Sequence, residues 1–494
     1  MNSKNRNIIS AAFAAAVFSF WMWGFPQGLN YQEQNQLFLW TGGYLVERLS
    51  VSGGLADWLS EFLVQFFRTR WLGAAILAML LTSLQIAIWN AGNRKDGLFC
   101  ISFIPSLLLL VHMGNMDVLI SFPVALLLAV LLCRPFAKAG LHKLWAAPLA
   151  FWLIGPLALL PVLYSLAVKR TLRELLLCAY YLLSVFLIYR LFLMQYTPRD
   201  AMFGINYFRI VETLPALQII IPAATLACIL LIKWRGSFKH VNVVEAVLLL
   251  ALAGGCAFGV SKSYDRDSWE LLAYDMLERD GRYAEILGRA EKYQPQNAIS
   301  ATYVNMALVM EGRTDDLWNF YQCGVHGLVM PSVRDNLSDI ASCDILWMCA
   351  MNNISLQYAF DLQESIQNGR KSGRFTSRIA ECHIVNGHYG LALRYLDKLT
   401  HTVFYRKWAE ERIKMISGGE AGVDSDQVYA YLRRARSDKD YIVNYEALDA
   451  MLILLYRQEE TNAAAAIYAR LWQEMKKAQK FHDEKTDDTL THGS

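Results

Sequence analysis

The sequence predicts an all-α fold: a polytopic membrane helix domain followed by a helical solenoid. Three observations carry the prediction. The chain of 494 residues is 55% hydrophobic with a mean hydropathy of +0.24, far from an ordinary soluble composition. Charge is unevenly spread, since all but ten of the 44 acidic residues, and 28 of the 47 basic ones, lie beyond residue 260. Before that point apolar stretches recur at or near the length a hydrocarbon core demands, roughly 20 helical residues. Residues 1–262 are therefore read as a multi-pass transmembrane domain with a long first outer loop at 26–70, residues 263–477 as a helical repeat domain, and residues 478–494 as a polar, disordered tail.

The spans fall at about 8–25, 71–90, 98–113, 118–132, 144–168, 174–195, 213–232 and 241–260. The first follows Lys4 and Arg6 and runs into Trp21, Met22 and Trp23 without a small-residue cleavage site, so it reads as a span and not as a signal peptide. The segments 98–113 and 118–132 are short and nearly contiguous. The segment 144–168 carries Gly155, Pro156 and Pro161 near its centre, with Lys143 at one end and Lys169, Arg170 and Arg173 at the other. Cations at both ends argue for two short helices, roughly 144–154 and 156–168, that enter and leave on one side. The backbone at the break must then be satisfied within protein or a wet cavity. With that hairpin, Lys and Arg concentrate on the side of the N-terminus. The expectation is a bacterial inner-membrane protein with a cytoplasmic N-terminus. The loop 26–70, the turn at Gly114 and Asn115, the loop 196–212 and everything beyond Lys262 then face the periplasm.

The second half is helical and repetitive. In "WELLAYDMLERDGRYAEILGRAEKYQPQN", Trp269, Leu272, Gly281, Tyr283, Ala290 and Pro295 stand near the positions used by tetratricopeptide helix pairs, with Gly281 closing one helix and Pro295 ending the next. Gly312 and Gly387 mark further units, and "ALDAMLILLYRQEETNAAAAIYARL" a weaker one. Such arrays stack to bury a continuous core and present a concave face, so a periplasmic protein or peptide is an expected partner. A helical domain without a ligand is the other reading. Cys323, Cys343, Cys349 and Cys382 match no zinc spacing and are expected as free thiols.

The outer side collects the residues that could do chemistry. Glu33, in "YQEQNQ", directly follows the first span. "VHMGNMDVLISF" places His112, Asn115 and Asp117 on a turn between two short spans, below the outer surface, where an ionisable group is a functional candidate. Asp117 could equally cap the following helix. "QYTPRDAMFGINYFRIVETLPA" adds Arg199, Asp200 and Arg209, with Arg190 just beneath. Guanidinium groups there suit phosphate, by bidentate pairing, or anchorage to anionic lipid headgroups. The loop helices "LFLWTGGYLVERL" and "LADWLSEFLVQFF" are amphipathic and expected along the membrane surface, with Glu47, Asp57 and Glu61 on solvated faces.

This organisation resembles the GT-C class of multi-pass glycosyltransferases, which take a sugar from a polyprenyl-phosphate donor. Many carry tyrosine or phenylalanine followed by aspartate-glutamate at the start of the first outer loop. "YQE" resembles that motif, with Glu33 at the second acid and Gln32 in place of the first. Asp117 resembles a further acid near the turn after the third span, and some members end in tetratricopeptide repeats. The chain also resembles a multi-pass membrane family of Bacteroidetes to which no activity is attached. The GT-C resemblance implies a catalytic base at Glu33 or Asp117 and a phosphate held by Arg190, Arg199 or Arg209, with His112, Asn115 and Asp200 as other cavity candidates. No cofactor is implied, although outer carboxylates leave room for a divalent metal.

The competing expectation is a non-catalytic, membrane-anchored scaffold presenting the repeat domain to periplasmic partners. A net charge of +3 without a basic stripe excludes a nucleic-acid partner. Membrane lipids are expected around the first half. A transporter would need charged interior residues in matched internal repeats, which the sequence lacks.

Overall fold

The computed structural model describes residues 3–435 apart from 93–97, 139, 141, 210–213, 235–240, 296–297, 312, 314–335, 349–350 and 367–369. Among the described residues the regular elements are helical, and a single antiparallel bridge joins Val118 to Phe208. The protein is all-α. It divides into two compact units, Met1–Asp265 and Arg266–Ser494. Gly312 itself and the part of its unit after Arg313, the thiols of Cys323 and Cys349, the last repeat and the 478–494 tail lie outside the described residues.

In the first unit the helices are α1 (Ser3–Ser19), α2 (Pro26–Gln34), α3 (Gly42–Leu49), α4 (Gly54–Val64), α5 (Arg70–Gly92), α6 (Ile104–His112), α7 (Ser121–Ala137), α8 (Lys143–Ile154), α9 (Leu159–Lys169), α10 (Leu172–Phe192), α11 (Pro198–Phe203), α12 (Ala216–Trp234) and α13 (Val241–Ser263). Among the described residues six helical segments here are long and apolar enough to cross a membrane: Lys4–Gly24, Arg70–Gly92, Lys143–Lys169, Leu172–Phe192, Ala216–Lys233 and Val243–Ser263. Phe99–His112 and Ser121–Ala137 are shorter. Leu175, Leu182 and Phe186 on α10 and Val247, Leu250 and Phe258 on α13 are exposed, as a lipid-facing helix requires. This is a membrane-embedded unit.

Lys143–Lys169 is not one rod. A straight helix of that length would hold its ends roughly 40 Å apart. Instead the Lys143 ammonium, at the start of α8, lies 2.7 Å from the Glu174 carboxylate, and the Lys169 ammonium, at the end of α9, lies 3.2 Å from it. The segment folds back on itself. Its 3-10 tip, Gly155–Ala158, follows carbonyls that are bonded by other parts of the chain. The Phe151 carbonyl accepts from the Ser52 hydroxyl at 3.0 Å, the Trp152 carbonyl accepts from the Gly53 N–H at 2.9 Å, and the Ile154 carbonyl accepts from the Tyr207 hydroxyl. Trp152 in turn donates its indole N–H to the Leu49 carbonyl at 2.8 Å. These bonds replace the water that a broken helix would otherwise need. Gly155 adopts φ 74°, ψ −159°, a conformation nearly exclusive to glycine, and a Cβ there would stand 2.7 Å from the Tyr207 hydroxyl. Gly155→Ala is expected to cost about 1–3 kcal/mol and to lower the thermal unfolding midpoint of the detergent-solubilised chain. An unchanged midpoint would mean that the tip relaxes freely.

The end of the bundle opposite the tip carries Arg6 over the Trp89 ring, Arg134 donating to the Asn90 carbonyl, and the Lys143–Ser165–Glu174 cluster. At the tip's own end, Ser263 and Tyr264 close α13 onto α6 by donating to the Val111 and Leu110 carbonyls at 2.8 and 3.0 Å. The Tyr264 ring also packs against Phe20 and Phe25, so the ends of α1, α6 and α13 are tied together.

The sequence reading of α4 needs correction. Asp57 and Glu61 are not on a solvated face but buried, at 0% and 1% exposure, while Glu47 on α3 is exposed as expected. The Glu61 carboxylate accepts from the Tyr44 hydroxyl and lies 3.1 Å from Arg48, whose guanidinium also lies 4.8 Å from the Tyr44 ring centre. Burial, then the Glu61 charge, push the Tyr44 phenol far above its ordinary value, so it acts as a donor. Beside a membrane the logic of an amphipathic helix inverts. The aromatic face of Trp58 and Phe62 stays partly exposed, and the charged face turns into protein.

In the second unit, α14 (Arg266–Arg279), α15 (Tyr283–Lys292) and α16 (Ala298–Met310) are followed by helices Asn336–Met348, Asn352–Glu364, Gly373–Val385, Tyr389–Thr400 and Arg406–Ser417. Gly281 and Gly387 take left-handed φ values of 68° and 77° just past helix ends. A six-to-one closure recurs at Arg282 N–H to Leu277, Arg313 to Leu308, Met351 to Leu346 and His388 to His383, at 2.8–2.9 Å. Helices thus end the same way at intervals of about 31–38 residues, near the spacing of helix-pair repeats. Cys343 and Cys382 are buried free thiols.

Candidate functional site

Three stretches distant in sequence meet at the end of the bundle that holds the hairpin tip: residues 31–36, 112–121 and 205–209. Each is shaped locally before it contributes. Pro26 opens α2, where its missing N–H costs nothing, and Asn35 ends it by donating its side-chain amide to the Tyr31 carbonyl at 2.7 Å. Asn115 turns the chain after α6, its Oδ1 accepting the Asp117 N–H at 2.9 Å. Gly114 lies so close to Tyr264 that a Cβ would meet the ring at 2.6 Å. Residues 117–121 then run antiparallel to 206–209. Arg209 N–H donates to the Asp117 carbonyl at 2.8 Å, Leu119 N–H to the Tyr207 carbonyl at 3.1 Å, and the Ser121 hydroxyl to the Asn206 carbonyl.

Arg209 lies at the centre. It is 5% exposed, donates through Nη1 to the Tyr31 hydroxyl at 2.9 Å, and its guanidinium carbon lies 5.0 Å from the Tyr31 ring centre. Its Nη2 is buried with no hydrogen-bond partner. Asp117 is half-buried, and its backbone is bonded on both sides of the residue. Burial lifts its carboxyl above the ordinary value, and the positive charge of Arg209 only partly opposes this. The chain therefore juxtaposes a carboxylate of increased basicity with a desolvated guanidinium.

The other candidates are placed as follows. Glu33 is buried, at 3% exposure, on the last turn of α2. His112 ends α6 and shares a 2.7 Å hydrogen bond with Gln218 of α12. Asp117 does not cap α7, whose N-cap is Ile120. Asp200 forms a capping box with Thr197 at the start of α11, a structural role. Arg190 and Arg199 are exposed on the last turn of α10 and the first of α11. Of the three arginines it is Arg209 that packs against Tyr31 and the Asp117 backbone. Among the described residues no three His, Cys, Asp or Glu side chains gather as a metal-ligand group.

A model of a family of unknown function, DUF6057, matches residues 2–479. The chain belongs to that family. The match covers both units, so the membrane bundle and the helical half are parts of one family architecture. No curated protein and no solved structure matches the chain.

Sequence reasoning gave Tyr31 no role of its own and took Gln32 only as standing in place of an acid, although both stand in the "YQEQNQ" stretch. Gln32 donates its side-chain amide to the carbonyls of Val118 at 2.9 Å and Met116 at 3.3 Å. The available signal was the density of amides beside a span, since Gln27, Asn30, Gln34, Asn35 and Gln36 are all buried in this DUF6057 chain. Buried amides are hydrogen-bonded, so a cluster of them announces a polar junction.

Proposed function

We propose that the protein is a membrane glycosyltransferase-like enzyme that moves a sugar from a polyprenyl-phosphate donor to an acceptor hydroxyl on the periplasmic side of a bacterial inner membrane. On this reading the N-terminus is cytoplasmic and the second unit periplasmic, as the distribution of Lys and Arg in the sequence favours. The observation that supports it is the approach of Asp117 to Arg209 over Tyr31. Asp117 is the base, in preference to the more deeply buried Glu33, because its carboxyl is half-exposed and raised in basicity. The acceptor hydroxyl gives its proton to Asp117 as its oxygen attacks the anomeric carbon. The bond from that carbon to the phosphate oxygen breaks, and the polyprenyl phosphate leaves with the electron pair. Arg209 offers Nη2 to the growing charge, and the anomeric configuration inverts.

Arg209→Lys tests the phosphate role in the full chain reconstituted with a polyprenyl-phosphate sugar. Lysine keeps the charge but cannot hold Tyr31 and a phosphate oxygen with one planar fork. Transfer is expected to fall about 10²–10³-fold. Transfer within a factor of two of wild type would remove Arg209 from the reaction. A second reading, a tetratricopeptide-like solenoid that holds a periplasmic protein or peptide, is favoured by the recurrent helix closures of the second unit. It predicts that partner capture survives every change at Asp117 and Arg209.

A further inference from the structure

The geometry points to Gln32 as the residue that positions Asp117: one side-chain amide grips the main chain on both sides of that residue.

Met116 and Asp117 are the central residues of a turn closed by the Val118 N–H donating to the Asn115 carbonyl at 3.2 Å. The Asp117 carbonyl accepts from Arg209 N–H at 2.8 Å beside the antiparallel bridge of Val118 and Phe208. The carbonyls of Met116 and Val118 both accept from Gln32 Nε2, at 3.3 and 2.9 Å. The turn is tied by main chain through Asp117 and by one side chain through both of its neighbours. The amide's orientation follows from its partners, since two carbonyl oxygens can only accept and the group facing them must be the NH2. Gln36, one turn further on, locks this by donating its own amide to Gln32 Oε1 at 3.1 Å. Asn115 closes the same turn from within. Residue 117 is thereby held at its own carbonyl and at those of both neighbours, which fixes where its side chain leaves the backbone. Here the "YQE" resemblance departs from the acidic pair, and the departure has a physical reason. An ionised acid at 32 would face two carbonyl oxygens with no proton to give.

The inference rests on the transfer reading only for what Asp117 does, so its test is kept separate. In the full chain held in nanodiscs, hydrogen exchange is followed at the Leu119 and Arg209 amides, whose bonds to Tyr207 and Asp117 form the bridge. Wild type, Gln32→Leu and Gln32→Glu are compared at about pH 5 and about pH 8, each against wild type at the same pH. Gln32→Leu should speed exchange about tenfold at both pH values, as two hydrogen bonds are lost. Gln32→Glu should fall between wild type and Gln32→Leu at the lower pH, where a protonated carboxyl donates its one O–H to one of the two carbonyls, and approach Gln32→Leu at the higher pH. That pH-dependent rescue is not expected of a residue that only fills space. Exchange unchanged in both variants, or accelerated equally by Gln32→Glu at both pH values, would overturn the assignment. If the exchange pattern holds while Asp117→Asn leaves transfer intact, the positioning role stands and the transfer reading falls.

Discussion

Asp117→Asn is expected to reduce transfer about 10²–10⁴-fold while leaving the protein as stable as wild type, or more so, at neutral pH. The two halves of that expectation have different causes. The backbone of residue 117 makes the bonds that build the turn, through its N–H to Asn115 and its carbonyl to Arg209, and asparagine keeps both. On the transfer reading, what is lost is a base. The Asp117 carboxyl is raised above its ordinary value by burial, so its linked stability is fully present below that ordinary value and is lost as pH rises through the raised one. Asparagine removes that loss. The rate should depend on the same proton with the opposite consequence, climbing as pH passes upward through the raised value, at higher pH than an unperturbed carboxylate would give. Transfer rates against pH for wild type, with thermal unfolding of both proteins, check all of this. Inactivity with a collapsed unfolding midpoint would make Asp117 structural. Full activity would move the search for a base to Glu33.

How much of this was legible depended on what each feature needs to be recognised. The all-α class was legible because apolar length alone reports a span. The reversal in Lys143–Lys169 was legible because Gly155, Pro156 and cations at both ends leave few geometries that satisfy the backbone. The neighbourhood of Glu33, Asp117 and Arg209 could be anticipated as a common side of the membrane, but not as contacts. The bonds Gln32 makes to Met116 and Val118 span 84 and 86 residues, and that from Arg209 to Tyr31 spans 178. No local pattern encodes which turn meets which helix. Asp57 and Glu61 were misread for a sharper reason. Helical periodicity reveals that polar and apolar faces are opposed, but not which faces protein when the other faces lipid.

The largest expected loss of stability lies in the second unit, at Arg374. From the helix Gly373–Val385 its guanidinium reaches Asp275 at 2.7 Å and Glu278 at 3.4 Å on α14, and Asp344 on the helix Asn336–Met348. Asp344 is shared with Arg378 at 2.7 Å, and Asp275 also meets the Tyr303 hydroxyl of α16 at 3.4 Å. These partners lie up to 99 residues apart, and all are largely shielded from water. Arg374→Met keeps the length and apolar stem but strands the carboxylates, at a cost of about 3–5 kcal/mol. Adding Asp275→Asn should return part of that cost, because it removes one stranded charge. The loss should also depend on pH. Burial first, then the Asp344 charge, push the Glu278 carboxyl up to about 8, with Arg374 pulling it down. A raised acid contributes stability that is fully present below about 4.5 and is lost as pH rises through about 8. Asp344 is instead lowered, against its own burial, by Arg374 and then Arg378, so its contribution is present above its ordinary value and lost as pH falls. Taking Arg374 away raises Glu278 further and cancels the gain at Asp344. The deficit of Arg374→Met should therefore be smallest in acid and widen toward pH 8. Glu278→Gln alone should flatten the alkaline decline of wild type. Hydrogen exchange of peptides from α14 and Asn336–Met348 in the full chain, measured across pH, reads both effects. A deficit under about 1 kcal/mol, or one that does not change with pH, would mean that the carboxylates find other partners or water, and that Arg374 does not hold these helices together.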